Sequence, residues 1–143
     1  MRLDRIGQLE LVYTDIDEEW PFAEGGQVYG ILTGQFEAGE LRGTLHATNL
    51  ARQRPDGGFT PKLRGILTTP QGSRLFLTMD GISIKDEKAN PPRRIVTMGI
   101  TLWTADPKLR HWNDTYLVAE TIGGRMGKSW GVSGTLYQCV PEL

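Results

Sequence analysis

Between Gly25 and Val140 the chain runs in short stretches of alternating apolar and polar residues, and glycine interrupts almost every stretch. Two examples are Gln27-Val28-Tyr29-Gly30-Ile31-Leu32-Thr33-Gly34-Gln35-Phe36 and Ser73-Arg74-Leu75-Phe76-Leu77-Thr78-Met79-Asp80-Gly81-Ile82. A side-chain period of two marks a strand, because successive Cβ atoms point to opposite faces of a sheet. Strands are expected at about residues 9–16, 27–36, 41–51, 59–69, 74–84, 94–104, 115–122 and 130–140. The connectors carry turn chemistry, as in Glu37-Ala38-Gly39-Glu40, Pro55-Asp56-Gly57-Gly58 and Pro70-Gln71-Gly72. No stretch of a dozen residues holds a helical period, although Asp106-Pro107 is placed to start a single helical turn. The expectation is one all-β domain over residues 1–143, an antiparallel, about eight-stranded, lipocalin-like β-barrel. A barrel of that size has a lumen able to hold one small ligand.

Composition supports this and removes several function classes. The 143 residues suffice for one domain with a sizeable core. The 18 glycines are about twice the usual share and suit bends, bulges and turns in a sheet. Sixteen Lys and Arg against 17 Asp and Glu leave a net charge of −1, which lacks the broad positive field that nucleic-acid binding uses. The basic clusters at Arg93-Arg94 and Lys108 to His111 read as solvated strand ends. One cysteine, Cys139, rules out an internal disulfide and reads as a small buried hydrophobe. Residues 1–6 lack the apolar stretch of an export signal, and no apolar run is long enough to span a membrane. The expected setting is therefore cytoplasmic, without membrane or nucleic-acid partners.

Three segments imitate functional motifs. Gly123-Gly124-Arg125-Met126-Gly127-Lys128-Ser129 resembles a phosphate loop, but Ile122 stands where its first glycine belongs and a strand-like run follows. It reads as a hairpin turn. The acidic run Asp15, Asp17, Glu18, Glu19, followed by Trp20-Pro21-Phe22, lacks calcium-loop spacing and reads as a solvated loop. The two histidines, His46 and His111, stand far apart with no cysteine pair, so neither a metal nor another cofactor is expected.

Sheet faces follow from the alternation. Leu75, Leu77 and Met79 share a face, as do Val96, Met98, Ile100 and Leu102, and Leu41, Leu45 and Ala47. Tyr116 and Val118 are placed on the same apolar phase, which would carry Glu120 into the lumen. A carboxyl group there has a raised pKa and suits general acid or base work; a rim position reaching water is the plainer reading. Arg64 is the candidate anchor for a substrate carboxylate, although it falls on the opposite phase. Tyr137 is the candidate hydrogen-bond donor, Asn113 the orienting group, and Trp103, Trp112 and Tyr29 the aromatic walls. Phe76, Ile82, Ile95 and Trp103 make the second face partly apolar, which points to a homo-oligomer, a dimer first.

The order of several short elements resembles the bacterial domain-of-unknown-function family 3237. They are Gly30 to Gly34, Leu41-Arg42-Gly43, Arg54-Pro55-Asp56-Gly57, Thr68 to Gly72, Asp80-Gly81, Trp112-Asn113 and a final strand with Tyr137. The resemblance covers about residues 25–140 and implies a small single-domain β-barrel with a ligand-holding lumen; it implies no particular reaction. Of the family's Asp-x-Arg pair the arginine corresponds to Arg64, with Lys62 at the aspartate position. Of its Trp-Leu-Asn element, His111-Trp112-Asn113 keeps the asparagine. The expected function is binding of a small apolar or aromatic molecule. Cofactor-free lyase, isomerase or cyclase chemistry is one extension. The rivals are a non-catalytic sequestering barrel and a structural or assembly protein.

Overall fold

The computed structural model describes residues 1–22 and 25–143. Nine antiparallel strands form one sheet: β1 (Arg2–Phe22), β2 (Gly25–Ala38), β3 (Leu41–Gln53), β4 (Phe59–Thr60), β5 (Lys62–Thr68), β6 (Arg74–Asp86), β7 (Arg93–Trp103), β8 (Tyr116–Met126) and β9 (Ser129–Val140). Eight of them close a ring in chain order. β1 pairs with β2, β2 with β3, β3 with β5, and each strand then pairs with the next until β9 returns to β1 through Leu9 opposite Gly134. The fold is an antiparallel β-barrel. The ninth strand arises because Pro61, with no N–H to give the ladder, separates β4 from β5 within the stretch expected to be a single strand.

The core lies inside the ring. Leu9, Leu11, Leu32, Phe36, Leu45, Leu67, Leu75, Leu77, Met79, Met98, Ile100, Leu117 and Leu136 are buried together. Burying each such side chain is worth about 1.5–3 kcal/mol. The ring has two unlike ends. One carries the β2–β3 and β5–β6 turns and the β7–β8 connector, whose single helical turn is a 3₁₀ element at Arg110–Asp114 that buries Trp112 in the core. The other carries the loops between β3 and β4 and between β6 and β7, and the β8–β9 hairpin.

Three readings need correction. The acidic run is not a loop: β1 continues through it, with Asp17 opposite Tyr29 and Glu18 opposite Val28. The β8–β9 turn is shorter than residues 123–127, because Gly123 to Met126 belong to β8 and only Gly127 and Lys128 turn. Gly127 has φ +67°, a conformation that glycine enters at low cost, and the strand after it confirms a hairpin, not a phosphate loop. Finally, the faces of β8 are reversed. Leu117, Ala119 and Thr121 are buried inside, while Tyr116, Glu120 and Ile122 are exposed outside.

Candidate functional site

Most inward positions are apolar, so a polar residue on an inward phase stands out. Tyr13 follows Leu9 and Leu11 on β1, Asn49 follows Leu45 and Ala47 on β3, Ser83 follows Leu77 and Met79 on β6, and Arg94 precedes Val96 and Met98 on β7. The register brings all four to the same end of the ring, opposite the 3₁₀ element. There they line a cavity of about 330 Å³ together with Val28, Leu32, Leu63, Val96, Met98 and Trp130. That volume lies near the lower end of the roughly 300–1,000 Å³ usual for small-molecule sites. A larger concavity, about 1100 Å³, lies on the outer wall among residues such as Gln8, Glu10, Arg42, His46 and Thr135. Its polar groups carry both charges and face outward, without the apolar enclosure of the lumen.

Tyr13 and Asn49 form a wired pair. The backbone N–H of Lys62 donates to Asn49 Oδ1 at 2.9 Å, and a backbone N–H can only donate, so this bond fixes which way the amide points. Asn49 Nδ2 therefore donates to the Tyr13 hydroxyl, at 2.7 Å. The hydroxyl oxygen is thus an acceptor, and its own proton has no acceptor among the described residues. Burial, opposed by the Asn49 bond and reinforced by the nearby Glu18 charge, raises the Tyr13 pKa above its ordinary value, so the phenol stays protonated near neutrality. Gly30 makes room for the ring, since a Cβ there would stand 2.2 Å from Tyr13 Cε1. The result is a rigidly held O–H donor on the lumen wall.

Arg94 is half-buried and held by neutral groups. Its Nε donates to Ser83 Oγ at 2.7 Å, and its Nη2 donates to the carbonyls of Ser83 and Gly57, both at 3.0 Å. The guanidinium also lies 4.7 Å from the Phe59 ring centroid, within cation–π range. Burial lowers its pKa, yet an arginine remains charged in proteins. None of the ion pairs among the described residues includes it, whereas Arg93 next to it pairs with Asp86 at 2.8 Å. Nη1 takes part in none of these bonds. No buried side-chain nitrogen or oxygen among the described residues lacks a partner, so Nη1 is not a fully buried, unsatisfied atom.

The residues singled out from the sequence lie elsewhere. Glu120 is on the outer face of β8, opposite Thr97 and Thr135, because the faces of that strand are reversed. Tyr137, opposite Val118 and Arg5, is a half-buried residue of the outer phase of β9. Arg64 is exposed and pairs with Asp80 at 2.9 Å. It lines an outer groove with Ile66, Phe76 and Trp103, where the Phe76 and Trp103 rings meet at a tilt of 38° with centroids 6.1 Å apart. Tyr29 is exposed on the outer face of β2. Asn113 spends its amide on Thr104, accepting from the backbone N–H at 2.8 Å and donating to the carbonyl at 3.1 Å. Trp112 belongs to the core beyond the opposite end of the barrel. None of the seven lines the lumen cavity. Arg94 and Tyr13, which do line it, each sit on an apolar phase visible in the sequence. No group of three or more His, Cys, Asp or Glu among the described residues is arranged to hold a metal. No helix among them is long and apolar enough to cross a membrane.

No family model matches the chain, and no curated protein matches it closely enough to count. Solved structures do. A β-barrel-like protein from Acinetobacter baumannii superposes with a TM-score of 0.81 at 18% identity, over 96% of this chain and 94% of that one. A protein of unknown function from Clostridium acetobutylicum gives 0.79 at 13% identity, over 98% and 100%. An enzyme from Penicillium herquei gives 0.69 at 14% identity, over 96% and 92%. These similarities place the chain among small single-sheet β-barrels.

Proposed function

We propose that this protein binds a small, largely apolar or aromatic molecule inside the open end of its barrel. The observation that carries the proposal is the lumen cavity itself, with an apolar wall of Val28, Leu32, Leu63, Val96 and Met98 and two pre-set donors, Tyr13 and Arg94. An apolar cavity with a few convergent polar groups is the usual form of a small-molecule site. Kinship with family 3237 belongs to this reading, supported by the barrel fold and by the turn glycines at 57 and 72, whose φ values are positive. Thermal unfolding in the presence of aromatic acids, amides and hydrocarbons tests it. A ligand present at 100 times its Kd adds about 2.7 kcal/mol to stability. Leu63→Trp, which fills the cavity, is expected to abolish that gain. If no member of such a set raises the melting temperature, the lumen is not a binding site.

Tyr13 favours a second reading, in which the same cavity performs cofactor-free acid/base chemistry with the phenol as proton donor. Its hydroxyl is oriented by Asn49 and holds its proton at neutral pH. The likeness in fold to an enzyme is consistent with this. Mass spectrometry of bound ligand before and after incubation decides: a changed mass or isomer that Tyr13→Phe suppresses supports catalysis, and unchanged ligand throughout supports plain binding. Self-association is the proposal for the outer face, where Phe76, Trp103, Ile82 and Ile84 remain exposed. Sedimentation of wild type against Trp103→Arg tests it, and a monomer at all concentrations removes it.

A further inference from the structure

The half-buried charge of Arg94 says more about the ligand than the shape of the lumen does. Taking a guanidinium partly out of water costs free energy that an anion nearby would normally offset. Five other arginines have such partners: Arg2 with Asp4, Arg42 with Glu37, Arg54 with Asp56, Arg64 with Asp80 and Arg93 with Asp86. All five are largely exposed, where a partner is least needed. Arg94 is less exposed than any of them, and it has three neutral acceptors and no carboxylate. Those acceptors fix its plane through Nε and Nη2, and Phe59 stacks on it. Nη1 takes part in none of these bonds, and Arg94 lines the cavity. Glu18 also lines that cavity, but it is an exposed residue of β1.

We propose that the ligand is an organic monocarboxylate with an apolar or aromatic body, its carboxylate held by Arg94 Nη1 and its body lying among Leu32, Leu63, Val96 and Met98. The inference rests on the reading of the lumen as a binding site. A single cation suits a group of charge −1 better than a phosphate, which carries nearly twice that charge at neutral pH. The predominantly apolar wall likewise excludes a ligand that is ionic throughout. Three hydrogen bonds hold the guanidinium in place before binding, so little side-chain freedom is lost when the carboxylate arrives.

Titration calorimetry with 2-naphthoate and 2-naphthamide, which share one shape and differ in charge, tests this. The wild type is expected to bind naphthoate at least about tenfold more tightly, the ordinary worth of a charge-assisted hydrogen bond. Arg94→Gln is expected to erase the difference, and Arg94→Lys to retain part of it. Equal affinity of the wild type for both compounds overturns the anion anchor and leaves the lumen reading intact. Binding of neither overturns the lumen reading, and this inference with it. A preference that survives in Arg94→Gln assigns the anchor to another cation. Should Arg94→Gln not fold, the Arg94→Lys result and the wild-type comparison still decide, and complete loss of preference in the lysine variant counts against a purely charge-based anchor.

Discussion

The two ends of the barrel handle polar residues in opposite ways. At the end closed by the 3₁₀ turn, each polar side chain near the core satisfies a group close by. Thr104 donates to the Arg74 carbonyl at 2.9 Å and accepts from Asp106 N–H at 3.1 Å, Asn113 clamps both backbone groups of Thr104, and Ser73 bonds to Asp106. At the open end the polar residues are held just as firmly, but with capacity to spare: the Tyr13 proton and Arg94 Nη1 have no partner among the described residues. A network closed on itself adds stability and specifies one structure. A network with unspent donors facing a cavity is prepared for a ligand. The same strands supply both, so the difference lies in side chains near the strand ends and not in the fold.

Substitutions that break one end and spare the other test this contrast. Trp112→Ala removes the largest side chain buried at the closed end and is expected to cost about 3–5 kcal/mol in denaturant unfolding. Ligand affinity per folded molecule should stay within about twofold of wild type, since Trp112 does not line the lumen cavity. A large loss of affinity in still-folded protein would mean that the ends are coupled. Gly30→Ala attacks the open end. The new Cβ would collide with the Tyr13 ring, so the ring must move or the strand must shift, at about 1–3 kcal/mol. Here affinity should fall together with stability. Crystallography of the variant checks whether Tyr13 has left Asn49.

Much of this contrast was readable from the alternation, and the part that was not has a physical cause. β6 and β7 separate cleanly, because Leu75, Leu77, Met79, Val96, Met98, Ile100 and Leu102 are bulky and all lie inside. β8 does not. Its inward residues, Leu117, Ala119, Thr121 and Gly123, are mostly small, and Thr121 buries its hydroxyl against the Val96 carbonyl at 2.8 Å. Its outward residues, Tyr116, Val118 and Ile122, are larger and more apolar, so hydrophobicity assigns the wrong face and takes Glu120 inside with it. A polar misfit on an apolar phase marks a candidate only where the two phases differ clearly, and on β8 they are least distinct. On β7 the same rule selects Arg94, although beside Arg93 it also reads as a basic strand end. What no single strand reveals is the meeting of Tyr13 with Asn49, 36 residues away, because that depends on the β1–β2–β3 register.

Tyr13→Phe is a gentler probe of the open end. It removes one hydroxyl and leaves the Asn49 amide facing a cavity that water can enter, so the stability cost is expected to be about 1 kcal/mol or less. Affinity for a ligand that accepts the phenol proton should fall about fivefold to tenfold, the worth of one hydrogen bond. The alkaline limb carries a matching signal. A tyrosine whose pKa is raised on folding contributes stability that is full below the unfolded value of about 10 and is lost as pH climbs through the higher folded value. Tyr13→Phe should therefore flatten the decline of wild-type stability in that range. An unchanged decline would show that Tyr13 is as accessible as a free phenol.

The smallest expected effects come from two aspartates, one at each end. Gly58 N–H, and then Arg54, hold the Asp56 carboxyl below its usual pKa at the open end; the Ser73 hydroxyl, and then Lys108 N–H, do the same for Asp106 at the closed end. A carboxyl depressed on folding contributes stability that is present above its unfolded pKa of about 3.9 and is lost as pH falls through the lower folded value. Wild type should therefore melt slightly above either Asp→Asn variant at pH 6, and the gap should close on acidification toward pH 2.5. Ligand affinity then separates the two ends. Asp56 orders the loop whose Gly57 carbonyl holds Arg94 Nη2, so Asp56→Asn should weaken binding of a carboxylate ligand at pH 6. Asp106→Asn should leave it unchanged. Equal losses in both variants would mean that the unspent donors at the open end are not what the ligand meets.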